Sequence, residues 1–369
     1  MWKLQALFTF FVSLGITAFI IPKILLISFR KQLFDFNDGR KVHTGIVPRL
    51  GGVAFTPAIV IAIALLLGIH TAVLNTESEL FRSPKLGLGL CALLLLYFEG
   101  IADDLVGIGY KGKFLMQLLA ASLLVLSGLW INDFYGLFGL YALPVWFGYP
   151  LTVVIVVFII NAINLIDGID GLASGLSMIA MFFFACLFLY EGQQIYTVLS
   201  LVTLGTLIPF FRYNVFGKAE KHRKIFMGDT GSQTIGFIAA ILAIRLSYND
   251  PAVSPRVPNS ILVAFSLLLV PCFDVIRVMI HRMRRGKNPF MPDQNHIHHK
   301  FLALGMSHHT AMLIILAISA FFALLNISLQ SLLNINIILV MDIMIWTVFH
   351  LWLSKMIRNR KTNTLKNAQ

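Results

Sequence analysis

Apolar residues run along this chain in stretches of seventeen to twenty-four, separated by short polar segments. A helix needs about twenty apolar residues to cross the hydrocarbon of a bilayer. Eleven runs approach that length: 4–27, 51–69, 86–102, 114–131, 141–160, 171–190, 195–211, 231–247, 259–280, 310–328 and 336–355. The pattern predicts an all-α polytopic membrane protein with eleven transmembrane helices. It reads as a single integral-membrane domain over 1–369 that ends in a short basic tail, 356–369. Neither an internal repeat nor a low-complexity segment interrupts it.

Composition supports this reading. The chain is 58% hydrophobic and 12% charged, where soluble domains carry roughly 25% charged residues. The first run is too long for a signal-peptide core and lacks a small-residue cleavage pattern before Lys23, so it is expected to stay as the first span. The net charge of +12 is dispersed among loops rather than gathered into a nucleic-acid patch. Its distribution instead orients the helices. Arg30, Lys31, Arg40, Lys41, Arg49, Lys111, Lys113, Arg212, Lys218, Lys221, Arg223, Lys224, Arg282, Arg284, Arg285, Lys287 and Lys300 fall on one side with the tail. Lys3, Arg82, Lys85, Arg245 and Arg256 fall on the other. The basic side is therefore expected to be cytoplasmic, with the N-terminus outside and the C-terminus inside. Cys91, Cys186 and Cys272 all lie in apolar runs and read as small hydrophobes in helix packing.

Four polar clusters sit beside apolar runs on the basic side: Asp103-Asp104, Asn161 to Gly171, Gly228-Asp229-Thr230-Gly231 and His296-Ile-His298-His299. Carboxylates beside hydrocarbon are costly and usually retained for function. Adjacent Asp103 and Asp104 need a cation, and a hard ion such as Mg²⁺ prefers carboxylate and phosphate oxygens. Lys111 and Lys113 would meet phosphate as point charges; a solvated loop with orienting lysines accounts for the same residues. In the second cluster Asn161, Asn164, Asp167 and Asp170 recur every three residues, a spacing that lines one face of a helix start. They offer amides and carboxylates to a nucleotide or to a metal-bound phosphate. Asp229 alone reads as an N-cap, but beside the other acids it reads as a metal ligand.

Three histidines without an accompanying cysteine fit an anion-binding loop better than zinc. Arg49, before Gly51-Gly52 at a span entrance, is a candidate phosphate contact in a loop that anionic lipid would also attract. Inside the runs, Asp274 and Arg277 are spaced to pair on one helix face. Glu99 needs a partner, and Asp342 has no evident one.

Together the motifs resemble the polyprenyl-phosphate N-acetylhexosamine-1-phosphate transferase superfamily, glycosyltransferase family 4. The similarity rests on Arg40-Lys-Val-His43 with Pro48-Arg-Leu-Gly-Gly52, Asp103-Asp104 with Lys113, Asn161 to Gly171, Met227-Gly-Asp-Thr-Gly231, and Pro292-Asp-Gln-Asn-His-Ile-His-His299, over roughly residues 30–310. Gln294 departs from the Arg or Lys that many members carry there. The first loop and the His-x-His-His loop resemble the branch that begins O-antigen, common-antigen or teichoic-acid linkage synthesis. The peptidoglycan branch, phospho-MurNAc-pentapeptide transferase, is the alternative.

The resemblance implies a Mg²⁺-dependent enzyme, with Mn²⁺ as a substitute. It would move GlcNAc-1-phosphate from UDP-GlcNAc to undecaprenyl phosphate and release UMP at the cytoplasmic face of the bacterial inner membrane. Asp103, Asp104 and Asp229 would be catalytic, with Asp229, Asp104 and Asp167 as metal ligands. Arg49, Lys113, Asn161, Asn164, Asp167, Asp170, His296, His298 and His299 would bind substrate. The expected partners are these substrates and the bilayer, with no nucleic acid; a homodimer stays open. A transporter, the reading from another class, would place ionisable groups at the bilayer midplane within repeated halves.

Overall fold

The computed structural model describes residues 2–33, 47–74, 84–289 and 295–366. The Arg40–His43 motif and Pro292 to Gln294 lie outside the described residues. In chain order the helices are α1 (Trp2–Lys31), α2 (Phe55–Leu74), α3 (Pro84–Val106), α4 (Tyr110–Leu126), α5 (Val145–Ile166), α6 (Leu172–Tyr190) and α7 (Gln194–Val215). After them come α8 (Gly228–Ser247), α9 (Ser260–Ser266), α10 (Leu269–Met283), α11 (Ile297–Ala303), α12 (His308–Leu329) and α13 (Ile335–Lys366). An antiparallel hairpin, β1 (Asp133–Leu137) and β2 (Leu140–Ala142), separates α4 from α5.

Among the described residues eight helices are long and apolar enough to cross a membrane. The pair α9 and α10, bent by 77° at a short break, makes a ninth if taken as one span. The other two expected spans coincide with α3 and α4. Helix α3 carries Glu99, Asp103 and Asp104 in its second half, and α4, at 17 residues, stands at the short end of the lengths that cross a bilayer.

Several boundaries differ from the sequence pattern. The fourth run was expected to reach 131, but α4 stops at Leu126 and the next residues lead into the hairpin. The fifth helix starts at Val145 and continues to Ile166, so Asn161 and Asn164 close a helix instead of opening one. The run 259–280 is broken after Ser266. Cys272 is buried as expected, whereas Cys91 and Cys186 are exposed on α3 and α6. Asp342 does have a partner: the Asn326 amide donates to its Oδ1 at 3.1 Å.

Helix α8 is the central post. Its span is 94% buried, against 22% for α1 and 28% for α13 at the periphery. Its sequence explains why. Gly231, Ser232, Gly236, Ala239, Ala240 and Ala243 are small enough to let neighbouring backbones close in, which is how helices associate where lipid competes equally for apolar surface. Helices α3, α5, α6 and α9 pack against it. The outer helices instead turn large apolar side chains outward, among them Phe11 and Phe19 on α1 and Leu351 and Trp352 on α13.

The segment before α2 is pinned to the entry of α8. Phe226 N–H donates to the Pro48 carbonyl (2.8 Å), Gly51 N–H to the Phe226 carbonyl (2.9 Å) and Gly52 N–H to the Met227 carbonyl (2.8 Å). A Cβ at Gly52 would lie 2.0 Å from Gly231 N, whereas one at Gly15 would meet nothing within 4 Å. Backbone cannot yield as a flexible side chain can. Gly52→Ala is therefore expected to lower stability by about 1–3 kcal/mol or more, while Gly15→Ala is neutral or slightly stabilising. Thermal unfolding of both variants in detergent measures the difference.

Candidate active site

The clusters converge where the C-terminal turns of α3 and α5 meet the first turns of α4, α6 and α8. Asp104, at the end of α3, reaches across to α8. Its Oδ1 accepts from Asp229 N–H (2.7 Å), and its Oδ2 accepts from Thr230 N–H (3.0 Å) and Thr230 Oγ1 (2.6 Å). The first N–H groups of a helix have no partner within it, and no capping side chain stands at Met227. A carboxylate from another helix supplies that cap, favoured by the positive end of the helix dipole. The approach needs Gly228. Its φ of +73° is in the left-handed region, and a Cβ there would sit 2.5 Å from Asp104 Oδ2.

Asp103 points the other way. Its Oδ1 accepts from Ile108 N–H (2.6 Å), closing the α3–α4 turn, and its Oδ2 pairs with Lys113 Nζ at 2.5 Å. The same ammonium lies 3.3 Å from Asp229 Oδ1. Asp103, Asp104 and Asp229 each present an oxygen within 4.8 Å of the others. An oxygen-only set of this size suits a hard divalent ion. Lys113 already supplies positive charge between Asp103 and Asp229, so the residues present fit a cation.

Asn164 orients Asp229. Its amide donates to Asp229 Oδ1 and to Ser232 Oγ, both at 2.7 Å. Asn161, expected at the substrate, has its amide committed within the bundle, to Gln117 Oε1 (2.6 Å) and the Val157 carbonyl (2.8 Å). From Gln117 the polar chain continues to Gln233 (3.4 Å), whose own amide donates to Glu99 Oε2 (2.6 Å). That gives Glu99 a partner at Oε2, while its Oε1 is buried without one, and nothing in the motifs announced Gln117 or Gln233.

Asp167 caps the end of α5 and is exposed. It lies outside the group of three clustered carboxylates, and no described side chain or backbone N–H donates to it. The protein around the cleft, followed by the charges of Asp170 and Asp229, pushes its carboxyl above the usual range; the Arg49 charge opposes them. Asp170 pairs with Lys224 Nζ at 2.5 Å. Lys224 had signalled only membrane orientation. Asn214 completes this corner by accepting from Gly171 N–H (2.6 Å) and donating to the Ile225 carbonyl (2.9 Å).

The histidines approach from α11. His296 Nδ1 lies 2.8 Å from Asp274 Oδ2, while Arg277 (2.8 Å) and Ile297 N–H (3.0 Å) hold Asp274 Oδ1. An ionised carboxylate only accepts, so Nδ1 carries a proton and the ring is held with Nε2 turned away from Asp274. The expected Asp274–Arg277 pair is present, and it serves to orient His296. His298 is buried, with no partner at Nδ1. Its ring packs so closely on Gly168 that a Cβ there would lie 2.2 Å from Nε2. Burial, with His299 and other imidazoles nearby, pushes the His298 pKa down to about 3. A neutral His298 thus touches the Asp167–Gly168 step, with the His299 ring 4.1 Å away.

Two outcomes follow. Asp104→Ala removes the cap of α8 and leaves its first amides unsatisfied, so stability should fall by about 1–2 kcal/mol or more. Thermal unfolding measures this. His298 stays neutral to about pH 3 when folded but takes a proton near 6.5 when unfolded. The unfolded state therefore binds more protons in that window, and stability falls as pH drops. Between pH 7 and pH 5 the native protein should lose about 2 kcal/mol more than His298→Gln in denaturant titrations.

Residues 86–247 match the family model for glycosyl transferase family 4, an interval that includes three of the four clusters. The chain is 35% identical to the probable undecaprenyl-phosphate N-acetylglucosaminyl 1-phosphate transferase of Bacillus subtilis, over 87% of this chain and 84% of that protein. It is 29% identical to the undecaprenyl-phosphate alpha-N-acetylglucosaminyl 1-phosphate transferase of Yersinia pestis, over 80% and 76% of the two chains. For the protein of the same name from Escherichia coli K12 the identity is 28%, over 85% and 82%. With its acids, amides and histidines gathered at one end of an apolar bundle, the chain belongs to glycosyl transferase family 4, in the branch of the undecaprenyl-phosphate N-acetylglucosaminyl 1-phosphate transferases.

Proposed function

We propose that this protein transfers N-acetylglucosamine-1-phosphate from UDP-GlcNAc to undecaprenyl phosphate, releasing UMP and leaving undecaprenyl-diphospho-GlcNAc in the membrane. The observation that carries the reading is the trio Asp103, Asp104 and Asp229, held within 4.8 Å of one another beside Lys113 at the end of an apolar bundle. Such a place receives a lipid from the bilayer and a charged nucleotide from water. Helices α3 and α4 complete a set of eleven crossings in this reading. The loops rich in Lys and Arg, and the site with them, then face the cytoplasm of a bacterial inner membrane.

An oxygen of the lipid phosphate attacks the sugar-bound phosphorus of UDP-GlcNAc. The bond from that phosphorus to the bridging oxygen breaks, and UMP leaves with the electron pair. A phosphomonoester has a second pKa of roughly 6, so little proton remains for a base to remove at neutral pH. The protein's work is to screen repulsion between phosphates and to hold them in line. Mg²⁺, held by Asp229 with Asp103 or Asp104, would neutralise charge on the pyrophosphate and the leaving UMP. Lys113 and Arg49 meet phosphate oxygens. Asp167, which accepts nothing from the described protein, is open to the nucleotide. Neutral His298 and Asp274-oriented His296 supply hydrogen bonds beside it. Asn161 supports the site through Gln117.

UMP release by the purified protein, given UDP-GlcNAc and undecaprenyl phosphate, tests this directly. Activity should require a divalent cation and should fall by about a hundredfold or more in Asp229→Asn, while the variant still inserts and folds. Side-by-side assays with UDP-GalNAc and UDP-MurNAc-pentapeptide decide the sugar. A preference for the pentapeptide nucleotide would move the protein to peptidoglycan synthesis, and full activity in Asp229→Asn would overturn the site.

A further inference from the structure

A second feature lies at the other end of α8, sixteen residues beyond Asp229 and so about 24 Å away along the helix. Helices α2, α3, α4, α7 and α8 line a partly open cavity of about 260 Å³. An apolar cavity of ~150 Å³ already holds benzene, so this one has room for a length of hydrocarbon chain. Its walls are mostly aliphatic, Ile63, Leu93, Leu124 and Ile238 among them. Among the described residues the charged ones lining it are Lys85 and Arg245, with no acid.

Arg245 is 7% exposed. Its Nε donates to Gln193 Oε1 (2.6 Å) and its Nη2 to Asp250 Oδ2 (3.0 Å), and its plane lies 5.3 Å from the Tyr196 ring. These contacts fix the guanidinium but leave Nη1 buried with no acceptor. A buried donor of a charged group left unmade is costly, and a guanidinium prefers an oxyanion. Lys85 Nζ, 5.9 Å from the ring of Tyr248, adds a second cation at the same end. An aliphatic chamber ending in two cations, one with an unmet donor, matches an amphiphile: hydrocarbon along the wall and an anionic head at Arg245.

We propose that this cavity is a lipid site, distinct from the candidate active site, which takes one hydrocarbon chain of a lipid with a net-negative phosphate head. Its phosphate oxygens lie against Arg245 Nη1 and Lys85 Nζ. The occupant touches α2, α3 and α8 at once and so ties together the helices whose opposite ends carry Asp104 and Asp229. Either a bilayer phospholipid or a polyprenyl phosphate has this chemistry.

Native mass spectrometry of the full chain in detergent distinguishes them. Phosphatidylglycerol, zwitterionic phosphatidylcholine and farnesyl phosphate are titrated separately into the native protein, Lys85→Gln and Gly89→Phe. Gly89 lines the cavity, and a Cβ there would meet nothing within 4 Å, so the aromatic ring grows into the chamber. The native protein should bind one copy of an anionic lipid that Gly89→Phe lacks and that Lys85→Gln holds about tenfold more weakly, through loss of one charge-assisted contact. Sensitivity confined to phosphatidylglycerol identifies a bilayer lipid, and sensitivity confined to farnesyl phosphate identifies a polyprenyl carrier. Phosphatidylcholine binding as tightly as phosphatidylglycerol in the native protein, or equal anionic-lipid affinity in the native protein and Lys85→Gln, would overturn the proposal. Lys85→Gln alters a partly exposed side chain, so the test stands even if Gly89→Phe does not fold. The readout counts lipids and is independent of transfer.

Discussion

The structure depends on one carboxylate crossing from helix to helix. Asp104 takes the first amides of α8, which have no internal partner and no capping side chain of their own. In water such amides would be solvated at little cost, but beside apolar helices each one left unmet costs about 1–3 kcal/mol. The cap therefore fixes more than a helix end. It sets the distance between the end of α3 and the start of α8, and hence between Asp103 and Asp229. The residue that holds the frame is chemically the same as those that would hold the cation, which is why an Asp-Asp pair is needed where a single acid would do for a cap. One member faces α8, and the other faces Lys113.

Beneath that frame runs a ladder of uncharged amides, Asn161 to Gln117 to Gln233, ending on Glu99. Amides donate and accept at once, so a chain of them can satisfy itself inside an apolar bundle without a buried ion pair. It also makes the helices register-specific. A turn's slip of α4 against α5 would break Gln117 from Asn161 and leave both amides unmet. The cleft above is thus built on a floor that has one low-energy arrangement, which is what an in-line displacement between two phosphates requires.

Much of this was legible in the sequence, for identifiable reasons. Long apolar runs fix helices wherever lipid or core surrounds them, so the centres of the predicted spans lie on helices. Their ends are set by local hydrogen bonding and were not legible: Asn161 and Asn164 extend α5 because Asn side chains facing Gln117 and Asp229 favour another helical turn there. The hairpin at 133–142 is invisible to a search for apolar periodicity, since Asn249 and Asn336, distant in sequence, hold it in place. The clusters themselves stood out as acids beside hydrocarbon. What escaped was the residue one turn deeper: Gln117 after Lys113, and Ser232 and Gln233 after Asp229; Glu99, before Asp103, stood out only as an acid in need of a partner. Each lies three or four positions from its motif and so on the same helix face. A polar residue at that spacing inside an apolar run is a sign of a supported site.

The same spacing logic explains why α8 is the least apolar of the candidate spans and yet the most buried. A peripheral helix must satisfy lipid and can do so with Leu and Phe. A central helix must let four neighbours approach, which small residues allow, and must keep polar groups at its ends, where the neighbours also end. Helix α8 concentrates both demands, with Asp229 at its first turn, fixed by Asn164 of α5, and Arg245 at its last, fixed by Gln193 and Asp250 from the adjoining loops. Because a rigid rod joins these two turns, any force that shifts α8 along its axis moves both. The packing that builds the cleft therefore also determines the position of the guanidinium at the far end.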